Sequence, residues 1–274
     1  APAAEKKNVL VIGSGPAGME AAFVAAKRGH HVVLCEKEAE LGGLMRIAAV
    51  PIAKQDLTRL IQYMARRLEG AGVEVRLNCA VDKAMLEGEF KGWEVIAGAG
   101  AQPIVVPAFT GFKQWMTADD VLAGRAFPGR KIVVIGGGSV GCETADYLAP
   151  LVNDLYPRNR EITLLEMAPG VMASESGPGR SLLVQRMMAK GVQMICGAKV
   201  EKVDESSIWY TKDGQQHCIA DADTLVLAMG YKADPALEEM LKAAGASYHL
   251  IGDANKVGTI KDAIGAGYET AKAL

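Results

Sequence analysis

Residues Lys7 to Lys37 constrain this chain more than any other stretch. An apolar run, Asn8 to Ile12, leads directly into Gly13-Ser14-Gly15-Pro16-Ala17-Gly18. A segment of helix-forming composition follows from Met19 to Arg28, and a second apolar run, His31 to Cys35, ends on Glu36 with Lys37 beside it. A GxGxxG pattern by itself is common. One that leaves a strand, opens a helix and precedes an acidic strand end reads as a dinucleotide-binding βαβ unit. Gly13 then serves a tight turn, Gly15 lets a pyrophosphate approach the backbone, and Gly18 lets the helix pack closely on the strand. The diphosphate would meet the helix N-terminus, and Glu36 would accept hydrogen bonds from a ribose hydroxyl pair.

The pattern occurs twice. Lys131 to Ile135 is apolar, Gly136-Gly137-Gly138-Ser139-Val140-Gly141 repeats the spacing, Cys142 to Leu151 has helical composition, and Ile162 to Leu165 runs into Glu166. Gly72-Val73 stands before Val81 as Gly191-Val192 stands before Val200, each pair after a helix-like segment. Two copies of one βαβ-based unit, each able to hold a dinucleotide, account for this. The second crossover is longer, because Leu151 to Arg160 adds polar and proline-containing sequence. It reads as a surface extension of the helix end.

Between and after the repeats the signals are more ordinary. Leu41-Gly42-Gly43 permits close backbone approach to a ligand. Leu57, Leu60, Ile61, Met64 and Leu68 share one face of a helix over Lys54 to Glu69. Gly72 to Leu77 reads as a strand, and Trp93 to Pro107 as a strand leading into a linker, with a domain boundary near Pro107 to Phe112. Ser207 to Tyr210 and His217 to Ala220, joined through Asp213-Gly214, read as a hairpin. Thr224 to Ala228 is an apolar strand ending at Met229-Gly230, and His249 to Ile251 is a short strand closed by Gly252-Asp253. Thr259 and Asp262 have capping-box spacing, which places the N-terminus of a last helix, Thr259 to Ala273, close to Asp253.

The 274 residues allow about two domains of ordinary size. A net charge of -2 offers no broad basic surface for nucleic acid or an anionic membrane. No apolar run approaches the roughly 20 residues needed to span a bilayer. The five cysteines are widely spaced, with no CxxC pair, and four dispersed histidines form no HExxH pairing, so the reading includes no metal site, no disulfide framework and no dithiol relay. Reduced thiols in a cytoplasmic protein are the expectation.

Together these residues resemble the two-dinucleotide-binding-domain flavoproteins, the group that includes glutathione-reductase-like and thioredoxin-reductase-like enzymes. Within it the chain is most similar to the C-terminal FAD/NAD(P)-binding region of the 2,4-dienoyl-CoA reductase, 2-enoate reductase and trimethylamine dehydrogenase family. The most specific pieces are Val11 to Gly18, Leu41-Gly42-Gly43, Thr117-Ala118-Asp119-Asp120-Val121-Leu122, the second glycine turn and Leu250-Ile251-Gly252-Asp253-Ala254. The resemblance implies an α/β fold of two Rossmann-like dinucleotide-binding domains, with the NAD domain inserted into the FAD domain. The parts would be 1–110 and 225–274 for FAD, and 111–224 for NAD(P).

By the same resemblance, Gly13, Gly15, Pro16, Ala17, Gly18, Glu36, Lys37, Gly42 and Gly43 would bind FAD, with Val81 against the adenine. Asp253, next to Gly252, would reach the ribityl or pyrophosphate region. Thr259 and Ile260 would open a helix aimed at the flavin ring, where its dipole stabilises negative charge. Gly136, Gly138, Ser139, Val140 and Gly141 would cradle a nicotinamide nucleotide, with Glu143 near the nicotinamide. Glu166 repels a 2′-phosphate and bonds a free 2′-hydroxyl, which favours NADH.

Relatives usually read Ala-Thr-Gly at the first crossing between halves, where this chain has Gly98-Ala99-Gly100. At the second it has Ala228-Met229-Gly230. Gly100 and Gly230 keep the close approach, and the threonine contact is lost. Relatives also carry an N-terminal TIM barrel with FMN and a four-cysteine iron–sulfur motif. The expectation is therefore a fragment or subunit that passes electrons from NADH through FAD to such a domain or partner, with no catalytic side chain of its own. The alternative is a non-catalytic module holding ADP in place of FAD, as in trimethylamine dehydrogenase-like proteins.

Overall fold

Short runs of Val, Ile and Leu buried on both faces form parallel strands when helices cover the sheet from either side. The computed structural model describes residues 2–149, 160–173, 175 and 177–274, and builds two such sheets. They belong to two compact units, residues 1–49, 54–102 and 231–274 in the first, and 50–53 and 103–230 in the second. The fold is the α/β arrangement of Rossmann type expected above.

In the first unit five parallel strands stand in the order Ser247–Leu250, Glu94–Ala97, Asn8–Ile12, His31–Cys35, Glu74–Arg76. One face presents Val9, Val11, Leu34 and Ile96 to the helices Pro16–Lys27, Asp56–Gly70 and Ile260–Ala273. The other presents Leu10, Val33 and Val95 to Leu86, Phe90 and Leu241. The last helix lies close on the first, because a Cβ at Gly267 would stand 2.2 Å from the Ala17 carbonyl oxygen. Glu20, buried on the first helix, accepts two bonds from Arg67 at 2.6 and 3.1 Å, and the guanidinium lies 3.7 Å over the Phe23 ring.

The second unit repeats the sheet in the order Trp115–Thr117, Thr224–Leu227, Lys131–Ile135, Glu161–Glu166, Gln193–Cys196, again parallel. Helices Ser139–Leu148 and Pro178–Ala189 cover the face of Ile132, Val134, Leu164 and Val226. The face of Val133, Leu165 and Leu225 packs on Phe109, Phe112 and an antiparallel sheet, Lys199–Val203, Ser207–Lys212 and Gln215–Ala220. The hairpin turn forms at Asp213-Gly214, both residues with positive φ, as that dipeptide favours.

Several boundaries move from the sequence reading. The first helix starts at Pro16 rather than Met19, because proline suits the first helical position. The second starts at Ser139 and ends at Leu148. The extension at Leu151 to Arg160 lies outside the described residues but for Arg160. The strand Thr224–Leu227 is an inner strand of the second sheet, so the second unit runs on to Gly230. It begins at Pro103, since Val105, Val106, Phe109 and Phe112 all pack in its core.

The counterpart of the Glu20 contact differs. Arg186 bonds both carboxylate oxygens of the fully buried Asp146 at 2.9 Å, and Lys190 Nζ reaches Asp146 Oδ1 at 3.0 Å and its carbonyl oxygen at 2.6 Å. Removing the acid would strand a buried ammonium. Asp146→Ala is expected to cost about 3 kcal/mol, read as a lower urea midpoint, while the exposed pair Lys83–Glu87 should tolerate Glu87→Ala with little change.

Candidate functional site

The first glycine turn is built by three contacts. Gly13 donates its N–H to the Cys35 carbonyl at 2.8 Å and holds φ +94°, and a Cβ there would stand 2.6 Å from the Gly98 carbonyl oxygen. A Cβ at Gly18 would stand 1.9 Å from the Gly13 carbonyl oxygen. Gly15 is different. Its backbone is in an ordinary extended conformation and no described residue lies within 4 Å of where its Cβ would be. It is also the N-cap of its helix and brings no side-chain acceptor, while Pro16 at the first helical position has no N–H. Orphan amides of the first turn therefore border open space.

Around this turn the chain gathers most of the expected residues. Glu36 is 5% exposed. One of its oxygens accepts from the Ser14 amide at 2.8 Å and the Ser14 hydroxyl at 2.6 Å, the other from the Glu38 amide at 2.9 Å. The Gly42 amide donates to the Ser14 carbonyl at 3.0 Å, and a Cβ at Gly43 would approach Gly15 Cα to 3.2 Å. A Cβ at Gly252 would stand 2.9 Å from the Ala17 methyl. Asp253 accepts from the Gly258 amide at 3.0 Å, and the Thr259–Asp262 capping box forms as its spacing requires. The Thr259 amide is thus already bonded to Asp262, and Ile260 is the first helical amide without an intrahelical acceptor.

Lys37 is exposed beside Glu36. Gly100, with positive φ, follows the exposed Ala99. Val81 is half-buried against the Leu10 and Val33 cluster, two residues beyond Cys79, whose amide bonds the Glu36 carbonyl at 2.8 Å. Ser14, fully buried, joins Glu36 to the Gly42 turn, and the sequence reading passed over it. Only its place between the motif glycines hinted at it.

The second turn reproduces the backbone contacts of the first. Gly136 donates to the Leu165 carbonyl at 2.9 Å with φ +107°, and its Cβ would stand 2.3 Å from the Ala228 carbonyl oxygen. A Cβ at Gly141 would stand 1.8 Å from the Gly136 carbonyl oxygen, while Gly138 again has open space and extended backbone. Glu166 accepts from the Gly137 amide at 2.5 Å and the Ala168 amide at 2.6 Å. Its carbonyl accepts from the Ala198 amide at 2.8 Å, as that of Glu36 does from Cys79.

Met172, with φ +49°, donates to the Gly137 carbonyl at 2.7 Å, the contact Gly42 makes in the first unit. Ser139 Oγ donates to Glu175, Val140 carries its helix onward by accepting from the Thr144 hydroxyl, and Glu143 is half-buried one turn in. Met229 packs on the Leu225 face, and Gly230 is exposed with positive φ. Burial, then the nearby carboxylates of Glu143 and Glu166, push the Cys142 thiol up to about 12. Burial first and then Cys79 push Cys35 up to about 12 as well, so neither is a ready thiolate.

A family model described as pyridine nucleotide-disulphide oxidoreductase matches residues 7–252. The chain belongs to that family. It is therefore an oxidoreductase of a flavoprotein family whose cofactors are FAD and NAD(P)H. It is 35% identical to a cinnamate reductase of Clostridium sporogenes over 97% of this chain and 39% of that protein. It is also 35% identical to an NADH oxidase of Thermoanaerobacter brockii over 97% of this chain and 41% of that protein. A solved 2-naphthoyl-CoA reductase superposes with a TM-score of 0.88 at 26% identity, covering all of this chain and 40% of that one. The resemblance to the FAD/NAD-binding region of 2-enoate reductase-type proteins stands, and the chain spans about 40% of these relatives' length. No described helix is long and apolar enough to cross a membrane.

The glycines separate by role in a testable way. Gly18→Ala and Gly141→Ala force a methyl onto a carbonyl oxygen and are expected to cost about 2–3 kcal/mol or more, as overpacking does. Gly15→Ala and Gly138→Ala, measured free of nucleotide, should leave the urea unfolding midpoint close to that of the nucleotide-free wild type.

Proposed function

We propose that the chain is an NADH-dependent flavin reductase module, with FAD in the first cradle and NADH in the second. The observation that carries this reading is the pair Gly15 and Gly138. Their backbones suit any residue and their surroundings would admit a side chain, so folding does not call for glycine at either position. A pyrophosphate that must reach the backbone does. Family membership supports FAD and NAD(P)H as the pair of nucleotides.

The residues fit these groups. When bound, FAD and NADH supply the hydride chemistry, and the protein's part is binding and orientation. Gly13 to Gly18 would receive the FAD diphosphate, Glu36 the adenosine ribose, and Gly42-Gly43 would shape the adjoining wall. Asp253 stands ready to accept from a ribityl hydroxyl in exchange for the Gly258 amide. The Ile260 amide and the positive end of the last helix would stabilise negative charge on the ring system. In the second unit Gly136 to Gly141 would hold the nicotinamide nucleotide. Glu166, with Met167 and no arginine after it, favours a free 2′-hydroxyl over a 2′-phosphate.

Two relatives of equal identity in this region carry different names, one for what it reduces and the other for what it oxidises, cinnamate reductase and NADH oxidase. We infer that acceptor choice lies in what surrounds the module, with an FMN and iron–sulfur barrel domain or partner as the acceptor. A second reading, ADP held for structure alone, draws on Ala99, where the threonine contact at the first crossing is lost.

The test is spectroscopic. The purified chain should show a flavin spectrum that NADH bleaches without oxygen, much faster than NADPH does, and Gly15→Ala should weaken FAD binding by about tenfold or more, a loss of roughly 1.4 kcal/mol. A colourless protein that releases ADP on denaturation would establish the second reading. Faster bleaching by NADPH would overturn the role given to Glu166.

A further inference from the structure

The two carboxylates that end the second strand of each sheet differ in one respect. An ionised carboxylate offers about four acceptor positions, two on each oxygen. Glu36 has one oxygen doubly occupied, by the amide and the hydroxyl of Ser14 at 2.8 and 2.6 Å, and the other singly, by the Glu38 amide. Among the described residues one position remains. Glu166 has each oxygen singly occupied, by the Gly137 and Ala168 amides, so among the described residues two remain, one on each oxygen. Glu36 is also the more deeply buried of the two.

The cause of the difference is residue 14 against residue 137. Ser14 Oγ accepts from the Gly42 amide at 3.3 Å, which turns its hydroxyl proton toward Glu36. In the second unit the same place must be glycine, since a Cβ at Gly137 would stand 2.8 Å from Glu166 Cβ. No side chain can enter there to take up an acceptor position.

We propose that Ser14 is a positioning residue which leaves the first carboxylate able to accept one ribose hydroxyl, whereas Glu166 accepts both hydroxyls of its ribose. The inference rests on both cradles being nucleotide sites and deepens that reading. The Ser14 hydroxyl stands in for the second ribose hydroxyl, so Glu36 is held rigid before any ligand arrives. Glu166 completes its coordination only with the ligand, which suits a nucleotide that must be exchanged at each turnover.

The measurement compares adenosine-ribose analogues. Flavin fluorescence, with NAD+ in excess, reads the affinity for FAD and for FAD lacking the adenosine 2′- or 3′-hydroxyl. Nicotinamide fluorescence reads the same series for NADH. For FAD, one deoxy analogue should bind about tenfold more weakly and the other within about twofold; for NADH, both should lose about tenfold. In Ser14→Ala the tolerated FAD analogue should become discriminated, because the freed position admits the second hydroxyl, while the NADH series stays unchanged. Equal losses for the two FAD analogues in the wild-type chain would overturn the proposal, and that comparison needs no substitution. So would a Ser14→Ala protein with the wild-type pattern. If neither FAD nor NADH binds, the nucleotide reading itself falls, an outcome distinct from both.

Discussion

Everything in each unit depends on how closely a helix can start against the turn that precedes it. With a Cβ at Gly18 or Gly141 less than 2 Å from a carbonyl oxygen, any other residue would lift the helix away from the sheet. The same lift would separate Gly13 from Gly98 and Gly136 from Ala228, where the central strand meets its neighbour. The open face at Gly15 and Gly138 exists because these contacts hold the turn flat. The packing surface and the proposed ligand surface are thus two sides of one six-residue turn.

The two units are copies whose fifth strands arrive by different routes. In the first, Ser247–Leu250 comes last in the chain; in the second, Trp115–Thr117 comes before the central strand. Both lead into a helix opened by a Thr/Asp capping box, Thr259 with Asp262 and Thr117 with Asp120. Inserting one copy within the other requires this, since the chain must enter the second unit and leave it through neighbouring strands. The passages are the paired short strands Ala101–Pro103 and Tyr231–Ala233. Matching strands keep matching partners because a parallel sheet is specified by its apolar faces and not by the order in which its strands are synthesised.

The copies have also diverged behind the cradles. Arg67 and Arg186 occupy like places on their helices, one closing on Glu20 with its plane over Phe23, the other on Asp146 with Lys190 added. One contact sets an ion pair against an aromatic ring and the other gathers two cations on a buried carboxylate, and both tie the helix that opens at the glycine turn to a later one. At the glycine turns the change is smaller, serine against glycine, a Cβ at Gly137 standing 2.8 Å from Glu166 Cβ.

The sequence by itself determined the two fingerprints, the strands and helices around them, the carboxylates Glu36 and Glu166, the Gly42-Gly43 turn, the hairpin and the last helix with its cap. These are legible because they rest on local rules: apolar alternation, glycine spacing and cap chemistry act within a few residues. Only the tertiary structure decided that Val105 to Phe112 and Thr224 to Gly230 belong to the second unit, since burial against a distant core settles that and short-range composition does not. It likewise decided which acceptor positions of each carboxylate are taken, and so the part played by Ser14. That depends on residues 22 and 28 positions away meeting at one hydroxyl, a convergence no local pattern records.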